Sequence, residues 1–545
     1  MICLHTYTGY APLALFYKNV LFLILPRERQ ATKNLIQRRK QKMSINQNFF
    51  SAFTVPEEYA KIRSFKNVTE MWTYSASEFA DLVALVDGKN YTYAEVDKDV
   101  AAFRAILVDN GVKAGDKVGI FCPNSYDFAK AFLAITTLGA IAVLLPAHLD
   151  NMTVFGCSLK FGLSVIAHAD ALAEKLDILQ AKNPAVKCID AASTCDKSAP
   201  AVDVDTNAPC TYIFTGGTTG KSKAAQLSHR AVMAGTRNGC YGIEHTFFQR
   251  YFLVLPLTHV FGLIRNLLTT LCSGSSLYIC RNTKNMFREI PTFKPTGMVM
   301  VPALAEMAMN LSKQFGKNML GDDLKFIIAG AAHVPQYLID EYNKIGVKML
   351  PGYGLTESAN LVSGNPLSME KKNSVGYFYP NLEYKIVDDE LWLKGENMLD
   401  CYVGEPEENA IAFEDGWFKT GDLVRVDEDG YLYIIGRKKE IIVLSTGENI
   451  SPAEIENKFY AIDTIQDCLV YEDTTDGKSL LVLEVLPRAV VVKALGLTDP
   501  EGFIREEINK VNAKLPAFQR ISKIVFRDTD FARSPAMKIL RNQKR

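Results

Sequence analysis

The chain lacks an excess of charge of either sign, because its 61 lysines and arginines are matched by 61 aspartates and glutamates. A neutral chain has no general basic surface that would attract nucleic acid or an anionic membrane. Its 11 cysteines contain no C-x-x-C pair, and none of its 7 histidines stands at zinc-ligand spacing from a cysteine. These absences favour a reduced, cytoplasmic protein without a structural metal, a nucleic-acid partner or integral membrane association.

Long uninterrupted apolar runs are also missing. The N-terminal stretch APLALFYKNVLFLIL, residues 11–25, is broken by Lys18 and is shorter than the ~20 residues of a spanning helix. It has no basic segment before it and no small-residue cleavage site, which disfavours a secretory signal. Two interpretations stay open for residues 1–42: an interfacial membrane helix, or an upstream artefact with translation starting at Met43. We favour the artefact, because globular patterning starts only after Met43.

With 545 residues, 48% of them hydrophobic and 22% charged, the chain is expected to form at least two ordinary globular domains. Helical and strand patterns alternate from about residue 56, including a helix predicted to run through Gly139 into a strand. Asp-Gly turns between residues 383 and 435 predict hairpins. We predict an α/β protein with a large N-terminal domain of layered sheets and helices, residues 43–437, and a small α+β domain, residues 438–545.

The stretch TGGTTGKSK, from Thr215 to Lys223, nearly matches a Walker A loop. The template G-x-x-x-x-G-K-[ST] needs a glycine where Thr215 stands. That glycine starts a tight turn that threonine adopts only with strain. The acidic run YKIVDDE, residues 384–390, is the only Walker-B-like segment, and it lies where acidic turns are expected. The sequence therefore disfavours a P-loop NTPase, and an ordinary strand-to-helix turn would waste the glycines and threonines of this loop.

The loop resembles the Y-T-S-G-T-T-G-x-P-K-G signature of the adenylate-forming (ANL) enzymes, with Gly216, Ser222 and Ala224 as departures. Six further stretches resemble motifs of that family in the family's order and extend the resemblance over about residues 56–545: LPLTHVFGL, AGAAHVP, GYGLTES, WFKTGDL, GRKKEIIVLSTGENISPAEIE and RSPAMKILR. The resemblance implies that the loop clamps the phosphates of ATP through backbone N–H groups, hydroxyls and Lys223.

The resemblance also implies individual roles. Tyr353 would stack on adenine, Asp422 would accept both ribose hydroxyls with help from Arg437, and Thr356 would reach the α-phosphate. Glu357 would hold Mg²⁺, and His259 would lie beside the substrate carboxylate. The nucleotide and thiol contacts implied by the family are carried by Thr215, Gly216, Gly217, Thr218, Thr219, Gly220, Lys223, Gly330, Ala331, Ala332, Gly352, Tyr353, Gly354, Thr356, Asp422, Arg437, Lys439, Gly447 and Lys538.

Two of these lysines concern the small domain, which is mobile in the family. Lys439 resembles the hinge residue about which that domain rotates. The alternative interpretation is an ordinary surface lysine in a basic run. Lys538 stands where an unstructured tail is the default, yet RSPAMKILR resembles the family's P-x-x-x-x-G-K signature with Met537 in place of glycine. The family role of Lys538 is to bridge the attacking carboxylate and the α-phosphate.

The expected function is that of an AMP-forming acid–thiol ligase that uses ATP, Mg²⁺ and coenzyme A. Amino-acid-activating relatives carry an aspartate near LTHVFGL, and its absence here favours a fatty or aryl acid. Loading of an acyl carrier protein stays open as the acceptor. A non-catalytic nucleotide- or acyl-binding relative is the alternative of another class, disfavoured because Glu357, Asp422 and Lys538 are all present.

Overall fold

The computed structural model describes residues 60–215, 223–241, 246–366, 371–443, 448–475, 478–533 and 539–541. The predicted N-terminal extension, residues 1–42, and the expectation of a start at Met43 lie outside the described residues. Among the described residues, no helix has both the length and the apolar content needed to cross a membrane.

Helices begin where the sequence supplies caps. Thr92 and Glu95 form a capping box at the start of α2, and the Ser228 hydroxyl accepts a hydrogen bond from the Ala231 amide at the start of α6. The helices are α1 Val68–Glu78, α2 Tyr93–Asp109, α3 Tyr126–Thr137, α4 Asn151–Phe161, α5 Asp177–Lys182, α6 His229–Asn238, α7 Thr269–Cys272, α8 Met286–Phe293, α9 Pro302–Phe315, α10 Gln336–Lys344, α11 Pro406–Ala412, α12 Pro452–Phe459, α13 Ala489–Ala494 and α14 Pro500–Asn512, with a π-helix at Phe261–Leu268.

The strands before residue 380 build two large sheets. They are β1 Val83–Asp87, β2 Lys89–Thr92, β3 Lys117–Phe121, β4 Ile141–Leu144, β5 Leu163–His168, β6 Lys187–Asp190, β7 Pro209–Phe214, β8 Ala224–Ser228, β9 Arg250–Leu253, β10 Ser276–Ile279, β11 Gly297–Met300, β12 Phe326–Ala329, β13 Lys348–Leu355, β14 Asn360–Gly364 and β15 Tyr377–Phe378.

The later strands are mostly antiparallel. They are β16 Leu382–Val387, β17 Glu390–Gly395, β18 Cys401–Tyr402, β19 Phe413–Glu414, β20 Trp417–Val426, β21 Leu432–Arg437, β22 Ile442–Val443, β23 Asn449–Ile450, β24 Ile465–Thr475, β25 Lys478–Pro487 and β26 Lys523–Phe526.

The first sheet has nine strands in the order β15-β14-β13-β12-β11-β9-β10-β1-β2. Strands β9, β11, β12 and β13 run parallel, with Met300 paired to Ala329 and Ala329 paired to Pro351. Because parallel strands end at the same edge, the segments that follow them meet there, which is where ligands bind in open α/β sheets. This edge brings together the residues after β9, after β12 and at the end of β13.

The second sheet has seven strands in the order β18-β8-β7-β4-β3-β5-β6. Its strand β4 follows α3, which ends at Thr137. The expectation of a helix through Gly139 is therefore wrong: Gly139 has φ of +76° and turns the chain out of the helix before β4.

The third sheet is the hairpin region that the sequence predicted. Asp388 and Asp389 both have positive φ and join β16 to β17, and Asp415 with Gly416 joins β19 to β20 in the same way. Two consecutive residues with positive φ are typical of a type I′ hairpin turn. The YKIVDDE segment is thus part of a hairpin and is not a Walker B motif.

The two main hydrophobic cores are formed by successive parts of the chain. The larger one includes residues from Val68 to Leu432, and a separate one includes residues from Ile450 to Ile521 on β24, β25, α12 and α14. A mixed α/β architecture is confirmed, whereas the exact domain bounds stay a prediction.

Candidate active site

A cleft of about 2860 Å³, called here the central cleft, lies at the carboxyl edge of the nine-stranded sheet. Its walls come from the segments after β9 and β12, from the end of β13, from β21 and from α12. The residues named in the sequence analysis that line it are Thr215, His259, Ala331, Ala332, Gly352, Tyr353, Gly354, Asp422, Arg437 and Lys439. Segments more than 200 residues apart in the chain therefore contribute to one site.

The phosphate-loop candidate connects two antiparallel strands. β7 pairs with β8, and the Thr215 amide donates to the Lys223 carbonyl at 2.7 Å, which closes the base of the loop. The segment is therefore not an ordinary strand-to-helix turn, which was the alternative interpretation. It also lacks the strand-to-helix context that a Walker A loop needs. Gly216, Gly217, Thr218, Thr219 and Gly220 lie outside the described residues.

Lys223 joins a chain of polar contacts that ends at Glu357. Its ammonium lies 2.6 Å from a Glu408 carboxylate oxygen and 4.7 Å from the centre of the Tyr402 ring. The Tyr402 hydroxyl donates to Glu357 at 2.7 Å. Burial and the Glu357 charge raise the pKa of Tyr402, so its hydroxyl stays a hydrogen-bond donor at neutral pH. The contacts thus connect Lys223 and the Glu357 carboxylate through the Tyr402 side chain.

Tyr353, Asp422 and Arg437 form a second group. Asp422 on β20 is 2% exposed and pairs in register with Arg437 on β21. The Arg437 Nε lies 2.6 Å from Asp422 Oδ1, and the Tyr353 hydroxyl donates to Asp422 Oδ2 at 2.5 Å. The Asp422 charge raises the pKa of Arg437, and burial raises the pKa of Tyr353. A carboxylate held this way has its position fixed before any ligand arrives.

Close backbone packing explains two glycines of the GYGLTES motif. A Cβ at Gly354 would lie 1.8 Å from the Asn360 carbonyl oxygen, and a Cβ at Gly352 would lie 3.1 Å from a Leu361 methyl carbon. A Cβ at Gly330 would lie 3.2 Å from the Gly352 carbonyl. The neighbouring Ala331 has φ of +65°, a left-handed conformation. These residues keep the wall of the central cleft thin at this point.

His259 lines the central cleft, and Thr356 lies in the turn that follows β13 without lining it. Thr356 is 7% exposed and begins the 3₁₀ turn Thr356–Ser358, which also carries Glu357. The Glu357 carbonyl accepts a hydrogen bond from the Leu399 amide at 2.8 Å. His259 precedes the π-helix, and its Nδ1 accepts a hydrogen bond from the Phe261 amide at 3.3 Å. The other ring nitrogen, Nε2, is on the opposite side of the imidazole from this hydrogen bond.

The segment around the C-terminal lysine candidate borders the cleft. Arg533 forms an isolated bridge with Ile539, and Arg541 makes ion pairs of 3.1 Å with Glu440 and 2.6 Å with Glu456. Arg533, Ile539, Leu540 and Arg541 all line the cleft. Lys538 itself lies outside the described residues, as does Gly447 of the GEN loop. The described residues Arg533, Ile539 and Arg541 therefore contact the rest of the chain, and the role of Lys538 stays a prediction.

Lys439 lies in a 3₁₀ turn, Lys438–Glu440, between β21 and β22. The neighbouring Lys438 makes an ion pair of 2.9 Å with Glu390, whereas Lys439 lines the central cleft, and its charge helps to lower the pKa of Glu408. The turn is where the chain passes from the large hydrophobic core to the small one.

A family model described as AMP-binding enzyme matches residues 72–403, and one described as AMP-binding enzyme C-terminal domain matches residues 439–544. The first match alone covers more than half of the chain. This chain belongs to the AMP-binding enzyme family. The resemblance of the motifs to the ANL enzymes is thereby confirmed.

Relatives of this AMP-binding enzyme carry CoA ligase names. A long-chain-fatty-acid–CoA ligase of Salmonella typhimurium is 30% identical over 468 residues, which cover 74% of this chain and 82% of the relative. A 4-coumarate–CoA ligase-like protein of Arabidopsis thaliana is 28% identical over 478 residues, which cover 79% and 81%. The family model and these relatives together identify this chain as an AMP-forming ligase of the ANL superfamily.

Solved structures share the fold. An anthranilate CoA ligase in complex with anthranoyl-AMP superposes with a TM-score of 0.79 at 20% identity, covering 88% of this chain and 96% of that one. An o-succinylbenzoate coenzyme A synthetase of Bacillus subtilis, in complex with ATP and magnesium ion, gives a TM-score of 0.72 at 22% identity, covering 87% and 98%. The large N-terminal and small C-terminal arrangement of this AMP-binding enzyme is the one these structures have.

Sequence reasoning missed two members of the site, Tyr402 and Glu408. Tyr402 lies 45 residues from Glu357, and Glu408 lies 185 residues from Lys223. Neither residue belongs to a motif, and no local signal could have indicated them. They reach the site because β18 pairs with β8, with Tyr402 opposite Ala225.

Proposed function

We propose that this enzyme joins a carboxylic acid to ATP as acyl-AMP and then transfers the acyl group to the thiol of coenzyme A. The observation that carries the proposal is that Tyr353, Asp422 and Arg437 line the same cleft as Ile539 and Arg541, the neighbours of Lys538 in the chain. In the first step, the acid carboxylate attacks the α-phosphorus and pyrophosphate leaves. In the second step, the thiolate attacks the acyl carbonyl and AMP leaves.

The proposed nucleotide contacts follow from donor and acceptor chemistry. Asp422 accepts the ribose hydroxyls, Tyr353 lies against adenine, and Gly330, Ala331 and Ala332 border the base and the acid. Thr356 donates to the α-phosphate. The loop from Thr215 to Lys223 offers hydroxyls and backbone N–H groups to the leaving phosphates, which is the way charge that develops in a transition state is stabilised.

Among the described residues, no cluster of three or more histidine, cysteine, aspartate or glutamate side chains could hold a metal ion alone. Mg²⁺ suits such a site, since it usually takes one or two carboxylates together with substrate phosphates. Glu357 fits this role, because Tyr402 engages only one of its oxygens. Bound there, Mg²⁺ would neutralise charge on the phosphate oxygens.

The acid is proposed to be fatty or aryl. Relatives are named for both kinds, as a long-chain-fatty-acid–CoA ligase and as feruloyl-CoA synthase. No aspartate is present in LPLTHVFGL to pair with an ammonium group, and the small side chains of Ala331, Ala332 and Gly352 leave room in the cleft.

The described cysteines are all free thiols, which supports a reducing compartment such as the cytoplasm.

Acid-dependent exchange of labelled pyrophosphate into ATP tests the first step. We expect exchange with at least one acid in a panel of aliphatic and aromatic carboxylic acids. Absence of exchange across the panel, with ATP binding retained, would instead support a non-catalytic nucleotide-binding protein.

The thiol that accepts the acyl group is identified in a separate experiment, which compares coenzyme A with an acyl carrier protein. The GEN segment, Gly447 to Asn449, is proposed to contact a pantetheine arm, which coenzyme A and an acyl carrier protein share. Thioester formation should be measured with both at equal concentration. We expect a higher kcat/KM with coenzyme A, and the reverse order would favour loading of a carrier protein.

Lys538→Ala is expected to slow acyl-AMP formation by about 10²–10³-fold, the typical cost of losing one preorganised donor. Thioester formation from supplied acyl-AMP should survive, because domain rotation carries this lysine away. Lys510→Ala, an exposed lysine of α14 paired with Glu507, is the matched control and should change neither step. Equal loss of both half-reactions in Lys538→Ala would contradict the role.

A further inference from the structure

Arg265 is a fully buried arginine in the π-helix that starts at Phe261. It is 1% exposed and is among the largest fully buried side chains of the described residues. Arg265 follows Phe261 by about one turn, so the two side chains leave the same side of the helix. π-helical segments are rare and occur frequently at functional sites.

No nitrogen of the Arg265 guanidinium has a hydrogen-bond acceptor among the described residues; Nε, Nη1 and Nη2 are all buried without one. The Tyr251 ring lies 5.8 Å from the guanidinium carbon, and its contact with Arg265 partly offsets the rise that burial causes in the pKa of the Tyr251 hydroxyl, so the polar neighbour of this charge is an uncharged phenol. Arginine cannot lose its charge inside a protein, so burial without an acceptor carries a large free-energy cost. An acceptor from outside the chain would remove that cost.

Arg104 shows what a satisfied buried arginine looks like in the same molecule. It is 4% exposed, its Nε donates to the Ala199 carbonyl at 2.9 Å, and its Nη1 donates to the Thr137 hydroxyl at 2.9 Å. The contrast indicates that the surroundings of Arg265 are not those of an ordinary core arginine.

Other buried polar atoms around the π-helix also lack a hydrogen-bond partner among the described residues. Asn266 has neither amide atom hydrogen-bonded, and α6 and β14, which pack against the helix, contribute the Asn238 Oδ1 and Asn360 Nδ2 atoms, both without a partner among the described residues. Buried polar atoms are nearly always hydrogen-bonded, so a group of exceptions in one region indicates a polar ligand.

The same elements form the wall of the central cleft. The Phe261 ring lines the cleft and would lie 3.4 Å from a Cβ at Gly330. Leu361, next to Asn360, would lie 3.1 Å from a Cβ at Gly352. Arg265 follows Phe261 by one turn and does not itself line the cleft, so an acid bound in the cleft would have to extend past Phe261 to reach it.

We propose that the acid used by this enzyme carries a second carboxylate at its far end, which pairs with Arg265. The proposal rests on the proposed function, because it extends the acid site beyond Phe261. The planar guanidinium fork matches a carboxylate with two parallel hydrogen bonds. Asn266 and Asn360 offer amide donors in the same region. The reacting carboxylate stays at the nucleotide end, and no additional covalent step is involved.

The test uses the full-length enzyme with α,ω-dicarboxylic acids of increasing chain length, aromatic dicarboxylic acids, and the monocarboxylic acid of matching size for each. Adenylation is measured as acid-dependent pyrophosphate exchange. We expect wild type to prefer the dicarboxylic member of the best pair. In Arg265→Met, kcat/KM for that acid should fall by roughly 10- to 150-fold, the cost of a lost charged hydrogen bond, while the matching monocarboxylic acid gains.

Arg104→Met is the control for removing a buried arginine without touching the acid site, and it should leave the preference between the two acids unchanged. Arg265→Lys keeps the charge and should retain part of the preference. Calorimetric binding of the same dicarboxylic acid supplies a readout that does not need turnover, and its affinity should fall in Arg265→Met.

The outcomes separate the two proposals. If wild type adenylates monocarboxylic acids equally well, or if Arg265→Met lowers stability without changing the preference, Arg265 is a structural residue and the inference is overturned. If no acid supports exchange in wild type, the proposed function fails instead.

Discussion

Asp422 has both carboxylate oxygens engaged before a nucleotide arrives, one by Arg437 and one by the Tyr353 hydroxyl. A ribose hydroxyl must therefore replace the Tyr353 contact or share an oxygen with it. Each carboxylate oxygen has two lone pairs, so sharing is chemically open. The Arg437 ion pair, with 2.6 Å between Nε and Oδ1, holds the carboxylate in place in either case.

Asp422→Ala should raise the ATP KM by an amount that corresponds to about 1.5–3 kcal/mol of lost charged hydrogen bonding. Calorimetric titration of ATP and of a non-hydrolysable acyl-AMP analogue measures it, and both affinities should fall. Asp427→Ala is the matched control, since Asp427 accepts hydrogen bonds from the Tyr431 and Asp429 amides at the far turn of the same hairpin. Unchanged ATP affinity in Asp422→Ala would refute the ribose assignment.

At the scale of elements, the hairpin of β13 and β14 holds Tyr353 on one strand and Asn360 on the other. The two strands approach so closely that Gly354 has no room for a side chain. The 3₁₀ turn between them carries Thr356 and Glu357. The geometry of the nucleotide site therefore depends on the register of this hairpin.

Gly354→Ala should disrupt that register, because its Cβ would lie 1.8 Å from the Asn360 carbonyl oxygen, a backbone atom that cannot move alone. We expect a loss of about 1–3 kcal/mol or more in the free energy of unfolding, measured by chemical denaturation. Gly352→Ala meets a flexible Leu361 methyl group at 3.1 Å and should cost less. Equal costs for the two substitutions would contradict this explanation.

His229, the first residue of α6, gives the element a pH dependence. It is fully buried, its Nδ1 accepts a hydrogen bond from the Val68 amide at 3.2 Å, and burial lowers its pKa from 6.5 to about 4. The unfolded chain therefore binds a proton that the folded chain does not. The stabilisation is complete above pH 6.5 and is lost as the pH falls from 6.5 towards 4.

Chemical denaturation across this pH range should show the free energy of unfolding falling by about 3 kcal/mol from this group. His229→Asn, whose side-chain oxygen can still accept the Val68 amide, should flatten that part of the profile. An unchanged slope in the variant would show that other groups cause the fall.

For the whole molecule, the decisive feature is that two hydrophobic cores meet at the central cleft. The ion pair between Arg488 and Glu306, at 3.2 Å, joins the segment after β25 to α9, and the Tyr337 hydroxyl donates to the same glutamate at 2.5 Å. A rotation of the small core relative to the large one would have to break this contact. The chain connection through Lys438–Glu440 would absorb the change in backbone angles.

Lys439→Pro should impair thioester formation far more than adenylation, because a fixed φ blocks one of the two domain positions. The two half-reactions are measured separately, by pyrophosphate exchange and by thioester formation from supplied acyl-AMP. Lys439→Ala removes the same charge without fixing φ and should leave the ratio of the two rates unchanged. Equal loss of both steps in the proline variant would contradict a hinge at this position.

The family, the order of the motifs and the hairpin turns can be inferred from the amino-acid sequence. These features depend on residues close together in the chain: Asp415 with Gly416 makes its own turn, and the GYGLTES segment needs its glycines for local packing. The helix at residues 126–137 was predicted too long: Gly139 has a positive φ, and the Ala140 amide donates to the Ile135 carbonyl at 3.1 Å, so local hydrogen bonds end the helix before the glycine.

Contacts between side chains that are distant in the sequence depend on how the strands and helices pack. The pairing of β18 with β8 brings Tyr402 to Glu357 and Glu408 to Lys223, and no local pattern encodes that pairing. The sequence likewise presents Arg265 as one charge in an apolar helix, which a surface helix would expose to water. Its position between α6, β9 and β14 is what removes it from water, because burial is a property of the packed elements and not of the residue.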